Sequence, residues 1–593
     1  MVNSSVITKL FAGTIPFQPA LPQSQTNGLS NWGTLDAPLL NNWIDRGHGN
    51  PWGGRNCWNS NPYIDAPHTG QTVKVDWTLE RKPLSPDGYS KNVLLVNGQF
   101  PGPLLEANWG DMIEVTIHNK IAGPVEGTAM HFHGFTMKDT PWMDGVPSVS
   151  QCPIAPGETF TYKFKADLYG TSWYHSHYSG QQIGGLMGPV VVHGPASEGH
   201  EIDLGPVFIN DWWHKDYLEL IDDAVGTNQT LWRPWADNNM INGKMDFDCT
   251  TITDGRPCVS NAGLSKFRFR AGKTHRLRLV NSGAASLQHF SIDGHEMTVI
   301  ANDFVPVKPY NTDVITLGVG QRTDILVKAK KDRKGAFWMR SMISDLCAAS
   351  HQPLALAAIY YDQADERQRP NSTAHPITDV YHTCINDPLE KTEPSYPIAV
   401  KQNPTSIINL DYDRVINATG HQTWTVNDSA FRANYNNPIL ELVKNRNTSY
   451  PTHPEWNVHN MGQNKTVRII MYNKSNNTHH PMHLHGHNMQ VLSEGPGRWD
   501  GHTIVRPQNP HRRDVHQLRA SGHLVIQYEQ DNPGVWSLHC HVAWHVSTGM
   551  FSSLIERPQD VAKMNFPAQN KNTCRAWDKY SSQNVVDQVD SGV

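Results

Sequence analysis

Residues 536–550 read WSLHCHVAWHVSTGM, a cysteine between two histidines with a third histidine four residues further on. A strand points successive side chains to opposite faces, so Cys540 faces one way while His539 and His541 face the other. One metal ion cannot collect all three. The stretch therefore serves two metal sites at once, and the backbone around Cys540 connects them.

Working outward, three segments share one texture: GDMIEVTIHNK at 110–120, AGKTHRLRLVNSG at 271–283 and NKTVRIIMYNKS at 464–475. Each alternates apolar and polar residues, the mark of a half-buried strand. The inward sets are Ile113/Val115/Ile117, Leu277/Leu279 and Val467/Ile469/Met471. A second triplet follows: TSWYHSH at 171–177, GAFWMRSM at 335–342 and GVWSLHCH at 534–541. Paired elements recurring at intervals of roughly 160–200 residues argue for an all-β chain of three similar sandwich domains. The expected division is an N-terminal extension over 1–65, domains over 66–195 and 196–365, and a linker, third domain and tail over 366–593. Superposing the repeats sets Cys540 against Ser176 and Ser341. It sets HPMHLHGH (480–487) against MHFHGF (130–135) and QHFSIDGH (288–295). The first domain keeps histidines and loses the thiolate; the middle one loses nearly every ligand.

The 593 residues exceed what one core sustains, roughly 250–300. A net charge of -5 and a pI near 6.7 suggest neither nucleic acid nor an anionic membrane as partner. No apolar run reaches the roughly 18 residues needed to span a bilayer. The stretch MVNSSVITKLFAGTIPFQPA (1–20) makes a poor signal peptide because Lys9 interrupts it. Nine N-x-S/T sequons, Asn228, Asn371, Asn417, Asn447 and Asn476 among them, nevertheless support a secreted, extracellular glycoprotein. There are eight cysteines; with Cys540 as a ligand, the others allow three bridges and one free thiol. Cys249 and Cys258 bracket a short turn-rich stretch and could close it locally.

Four motifs gather the candidate ligands: H-x-H at 131/133, H-x-H at 175/177, H-x-x-H-x-H at 480/483/485 and H-C-H-x-x-x-H at 539–545. His480, Cys540 and His545 form the two-imidazole, one-thiolate set of a blue-copper electron-transfer site, with Met550 as candidate axial ligand. His131, His133, His175, His177, His483, His485, His539 and His541 remain, enough to saturate three further ions. Zinc is the rival metal, but its sites usually draw four ligands from one local unit.

In these motifs the sequence resembles the multicopper oxidases, and more closely the ascomycete laccases, from about residue 50 to the end. The resemblance implies three cupredoxin-like Greek-key domains and four copper ions. A type 1 blue copper would sit on His480, Cys540 and His545. A coupled type 3 pair would sit on His133, His175, His177, His485, His539 and His541, and a type 2 ion on His131 and His483. The implied reaction takes single electrons from phenolic or similar aromatic donors at the edge of His545. It passes them through Cys540 to His539 and His541 and reduces dioxygen to water. Disulfides Cys152–Cys574 and Cys347–Cys384 match the family; Cys57 lacks the usual upstream partner.

Further residues tune this expectation. Ascomycete laccases usually carry Leu where Met550 stands, and a thioether ligand lowers the copper potential; the alternative is a packing methionine. Bilirubin oxidases share the methionine but follow the last histidine with an acidic residue, where this chain has Val546. Asp237, in WADNNMING, matches an acidic residue of the laccase donor pocket and is a candidate base for the phenolic proton; a turn residue is the plainer reading. Asp144, in WMDGVPSVSQCPI, matches a carboxylate that moves protons toward reduced oxygen, or is an ordinary Asp-Gly turn. The tail VDQVDSGV resembles one that plugs the channel to the cluster, with Val593 at its end. Rival functions are a metallo-oxidase acting on Fe(II) or Cu(I) and a copper-storage protein. A monomer is expected.

Overall fold

The structure is a computed structural model and describes residues 28–376, 378–447, 450, 453–584, 586 and 588–593. The leader-like stretch 1–20 lies outside them. Strands dominate, in six sheets that pair into three sandwiches.

The repeated alternating segments occupy one topological position three times. Met112–Asn119, Thr274–Asn281 and Thr466–Asn473 each lie between a parallel and an antiparallel neighbour. The parallel neighbours are Thr72–Leu84, Ile202–Trp212 and Ser406–Ile416; the antiparallel ones are Thr159–Lys165, Arg322–Lys328 and Gly522–Glu529. A parallel pair cannot be closed by a tight turn, so in each domain the connection crosses to the opposite sheet. The inward sets named above are fully buried, as alternation on a half-covered sheet requires.

The second triplet also repeats in place. Gly170–Ser176, Ala336–Ile343 and Gly534–Cys540 are each flanked by two antiparallel strands. In the third domain Met482 stands opposite Cys540 and His483 opposite His539; in the first, Met130 stands opposite Ser176 and His131 opposite His175. In the middle domain Phe290 faces Ser341 and Ser291 faces Arg340. The correspondence drawn from sequence is thus the register of the sheets.

The first and third domains share one continuous apolar core, running from Trp77 and Ile113 through Phe132 and Met482 to Trp536 and Met550. The middle domain has its own, around Leu277, Ile292 and Ile359. The elements carrying the histidine motifs converge where the first domain meets the third. Cys152–Cys574, closing a separation of 422 residues, ties the helix Ala568–Gln583 to the first domain. Cys249–Cys258 and Cys347–Cys384 are the other bridges, and Cys57 is a buried free thiol. No helix among the described residues is long and apolar enough to cross a membrane.

Candidate metal centre

Strand alternation separates the two sites. The strand Gly534–Cys540 turns the Cys540 thiol toward His480 Nδ1 at 3.5 Å and His545 Nδ1 at 3.4 Å, and those two nitrogens are 3.0 Å apart. The short helix Ala543–Ser547 brings His545 back to the thiol, and Trp424 packs against both imidazoles. The amide of Val542 donates to Cys540 Sγ at 3.4 Å. Met550 is fully buried, and its carbonyl accepts from the Cys540 amide at 3.3 Å.

On the opposite face His539 joins His177 and His485, while His541 joins His133 and His175; His131, His133 and His483 form a third group. Four of these eight histidines come from the first domain and four from the third, so neither domain holds the site alone.

The rings are oriented from behind. A carbonyl can only accept, so the nitrogen facing it carries the hydrogen and the other ring nitrogen offers a lone pair. His131 Nδ1 donates to the Asp144 carbonyl at 2.7 Å and His483 Nδ1 to the Asp514 carbonyl at 2.9 Å. His175 Nδ1 donates to the Ser176 carbonyl at 3.0 Å and His539 Nδ1 to that of Cys540 at 2.8 Å. Two carboxylates complete the set: Asp144 accepts from His485 Nδ1 at 2.9 Å, and Asp514 from His133 Nε2 at 3.0 Å. His133 is thereby turned the other way, with Nδ1 inward.

The inward nitrogens fit a metal. Nε2 of His131, His175, His483 and His541 and Nδ1 of His133 are buried with no hydrogen-bond partner. Nε2 of His485 and His539 face each other at 3.0 Å, a repulsive pairing of lone pairs unless a cation lies between them. Burial pushes His133, His175, His177, His480, His483, His485 and His541 well below the ordinary imidazole value, His539 down to about 4 and His545 to about 3. These imidazoles are therefore neutral. Burial also pushes the Cys540 thiol up, so a thiolate there needs a bound cation. Copper suits both donor sets: two imidazoles with a thiolate, and imidazole alone. Asp144 is close enough to His131 and His485 to be counted a ligand, but it contacts the ring nitrogen of His485 that points away from His539. It orients rather than coordinates.

The middle domain shows what replaces a metal. At the positions of His485 and His539 stand Asp293 and Arg340, paired at 2.8 Å; at those of His480 and Cys540, Gln288 accepts from the Ser341 hydroxyl at 2.8 Å.

Two predicted residues have other immediate partners. Asp237 stands outside these groups, half-buried, its carboxylate accepting the His214 amide at 2.7 Å. Val593 is 2% exposed and lines a cavity of about 30 Å³ together with His175, His177, His539 and His541. The preceding residues are tied down by bonds from Ser179 Oγ to Asp590, from Tyr435 Oη to the Gly592 carbonyl, and from the Ser591 amide to the Ser547 carbonyl.

Sequence reasoning missed the support behind His133. Arg322 clamps Asp514 with bonds of 2.5 and 2.7 Å, and Arg513 pairs with Asp303 at 3.1 Å; all four side chains are buried. Burial opposes charge on Asp303, but Arg322 and Arg513 outweigh it and hold its carboxyl below the ordinary range. Gly134, at φ +79°, makes room for this clamp: a Cβ there would stand 2.6 Å from both Arg322 and Asp514. The signal was the charged run HRRD (511–514), which falls in the short strand His511–Arg513 and the residue after it and names no partner.

A thiolate-imidazole site joined through one peptide segment to a histidine-only cluster, on three β-sandwiches, defines a copper-dependent oxidoreductase. Three family profiles, each described as multicopper oxidase, match residues 78–197, 203–364 and 401–560. Oxidoreductase OpS5 of Beauveria bassiana is 38% identical, covering 91% of this chain and 92% of that protein. Laccase-1 of Botryotinia fuckeliana is 36% identical over the same shares. The crystal structure of the laccase from Botrytis aclada superposes with a TM-score of 0.83 at 33% identity, covering 92% of this chain and 100% of that one. The chain belongs to the multicopper oxidase family. Within it, it is a laccase-like enzyme with copper as cofactor, using dioxygen and aromatic donors.

Proposed function

We propose that the enzyme oxidises phenolic and diphenolic donors one electron at a time beside His545. His480, Cys540 and His545 would hold the type 1 copper, with Met550 as a further candidate ligand. The six histidines His133, His175, His541, His177, His485 and His539 would hold the type 3 pair, and His131 and His483 the type 2 ion. Bound copper supplies one-electron oxidation of the donor at the first set and four-electron reduction of dioxygen to water at the second.

The observation that carries the donor site is exposure. His545 is 8% exposed, whereas His480, Cys540 and Met550 are at 0%, so only His545 offers an edge. Arg414 faces Trp424 across the strand pair, on the same sheet face as the ligand-packing indole, and lies over Trp232 at 4.6 Å. After burial, Arg233 and Arg414 are what disfavours a proton on His545. The same two charges repel Fe(II) and Cu(I) and attract a phenolate, which favours the laccase reading over the metallo-oxidase one. Asp237 would accept the phenolic proton, and Asp144 would hold His485 while passing protons inward. Val593 would close the cavity beside the cluster. The sequons and three disulfides support a secreted chain, which we take as monomeric. Oxygen uptake tests the proposal: brisk consumption with a diphenol and little with Fe(II) is expected, and the reverse order refutes the phenolic assignment. Arg414→Gln should raise KM for a carboxylated phenol several-fold and leave a neutral phenol nearly unchanged.

A further inference from the structure

A sizeable cavity lies away from the copper ligands. It holds about 440 Å³, within the usual range for small-molecule sites. It opens where three parts of the chain meet: the N-terminal segment at Tyr63, the first domain at Thr136 and Asp167, and the third domain at Asn488, Arg512 and Asn532. Two of its walls continue directly from ligand motifs, beyond His133 and beyond His485.

Its polar lining is unfinished. Arg512 is 2% exposed; its Nη atoms donate to Asn509 at 3.2 Å and to the Tyr396 carbonyl at 2.6 Å, but Nε has no partner. Tyr63 Oη lies within loose hydrogen-bonding reach of Asn488 and Arg512, but these contacts fall short of well-formed bonds, so Oη and both side-chain atoms of Asn488 keep bonding capacity for a guest. Further along the lining, Asn532 is 1% exposed, and its amide donates to the Thr136 and Gly486 carbonyls while Oδ1 stays unpaired; Asp167 Oδ1 is unpaired too. Leaving a buried polar atom without a partner is costly, so this many in one cavity mark a place shaped for a polar guest. The remaining wall is apolar and aromatic: Leu168, Ile398, and Tyr528 packed on His487 at 4.5 Å, with Ile64 exposed at the rim. Three cationic side chains (Lys138, Lys401, Arg512) face three acidic ones (Asp167, Glu529, Asp531), so no net charge selects an ion.

We propose that this cavity is a second, non-catalytic binding site for an uncharged aromatic molecule. Such a guest carries an acceptor oxygen at one end, for Arg512 Nε, Asn488 and Tyr63, and a hydroxyl at the other, for Asp167 and Asn532. Phenyl β-D-glucoside is a suitable probe. It has the ring, the ether oxygen and the hydroxyls, and without a phenolic hydroxyl it is not consumed at the donor site. Titration calorimetry on the copper-loaded enzyme should show saturable binding that weakens at least tenfold in Asn488→Leu and several-fold in the milder Tyr63→Phe. Both variants should oxidise a phenolic donor at close to the parent rate. Absence of binding, or binding unchanged in both variants, overturns the site. Methyl β-D-glucoside binding as tightly as the phenyl compound overturns the aromatic assignment.

Discussion

At the scale of single residues, the chemistry rests on side chains whose types were visible in the sequence and on others that were not. H-C-H announced two sites because alternation is a property of any strand, and Cys540 and His539 do face opposite groups. Asp514 was not legible as a partner of His133, since 381 residues separate them and only the fold brings them to 3.0 Å. Replacing Asp514 with Asn keeps the shape but removes one of the two carboxylates that face the buried Arg322, leaving Asp303, and losing one partner of a buried pair costs up to about 3–5 kcal/mol. Copper content of the cluster and oxygen consumption should both fall, by about 10–100-fold in activity, as for other orienting partners of metal-bound histidines. An unchanged copper content would show that His133 needs no such support. Met550→Leu should raise the type 1 reduction potential, read by redox titration of the visible band; an unaltered potential would make Met550 a packing residue.

At the scale of elements, the repeats were legible because each strand is buried on one face and so writes its register into its pattern. Ser291 opposite Arg340 and His483 opposite His539 are the same place in two sheets. What alternation does not report is how irregular segments pack, and the tail is the clearest case. Its Asp590 is buried, and burial pushes the carboxyl up to about 6 from 3.8. The folded chain therefore keeps a proton that the unfolded chain releases. This group's contribution is fully present below about 3.8 and is lost as pH rises to about 6, a swing of roughly 3 kcal/mol. Asp590→Asn should accordingly gain thermal stability over the parent at about pH 7 and little at about pH 4. Melting curves at the two pH values check this; equal differences at both would mean that the carboxyl titrates normally.

At the scale of the whole molecule, the first and third domains divide the eight-histidine set between them, four histidines from each, and share one apolar core. The three-domain plan could be read from the sequence. The shared core and the cavity around Asn488 and Arg512 could not, because both are made by residues of different domains that only the tertiary structure brings together. The division of labour along the strand Gly534–Cys540 is the central claim, and copper stoichiometry measured together with the visible spectrum in Cys540→Ser tests it most directly. The account predicts four coppers and an intense thiolate-to-copper band in the parent. It predicts three coppers and no such band in the variant, with donor oxidation abolished and the histidine cluster still loaded. A variant that keeps the band, or that loses the cluster coppers while remaining folded, would contradict it.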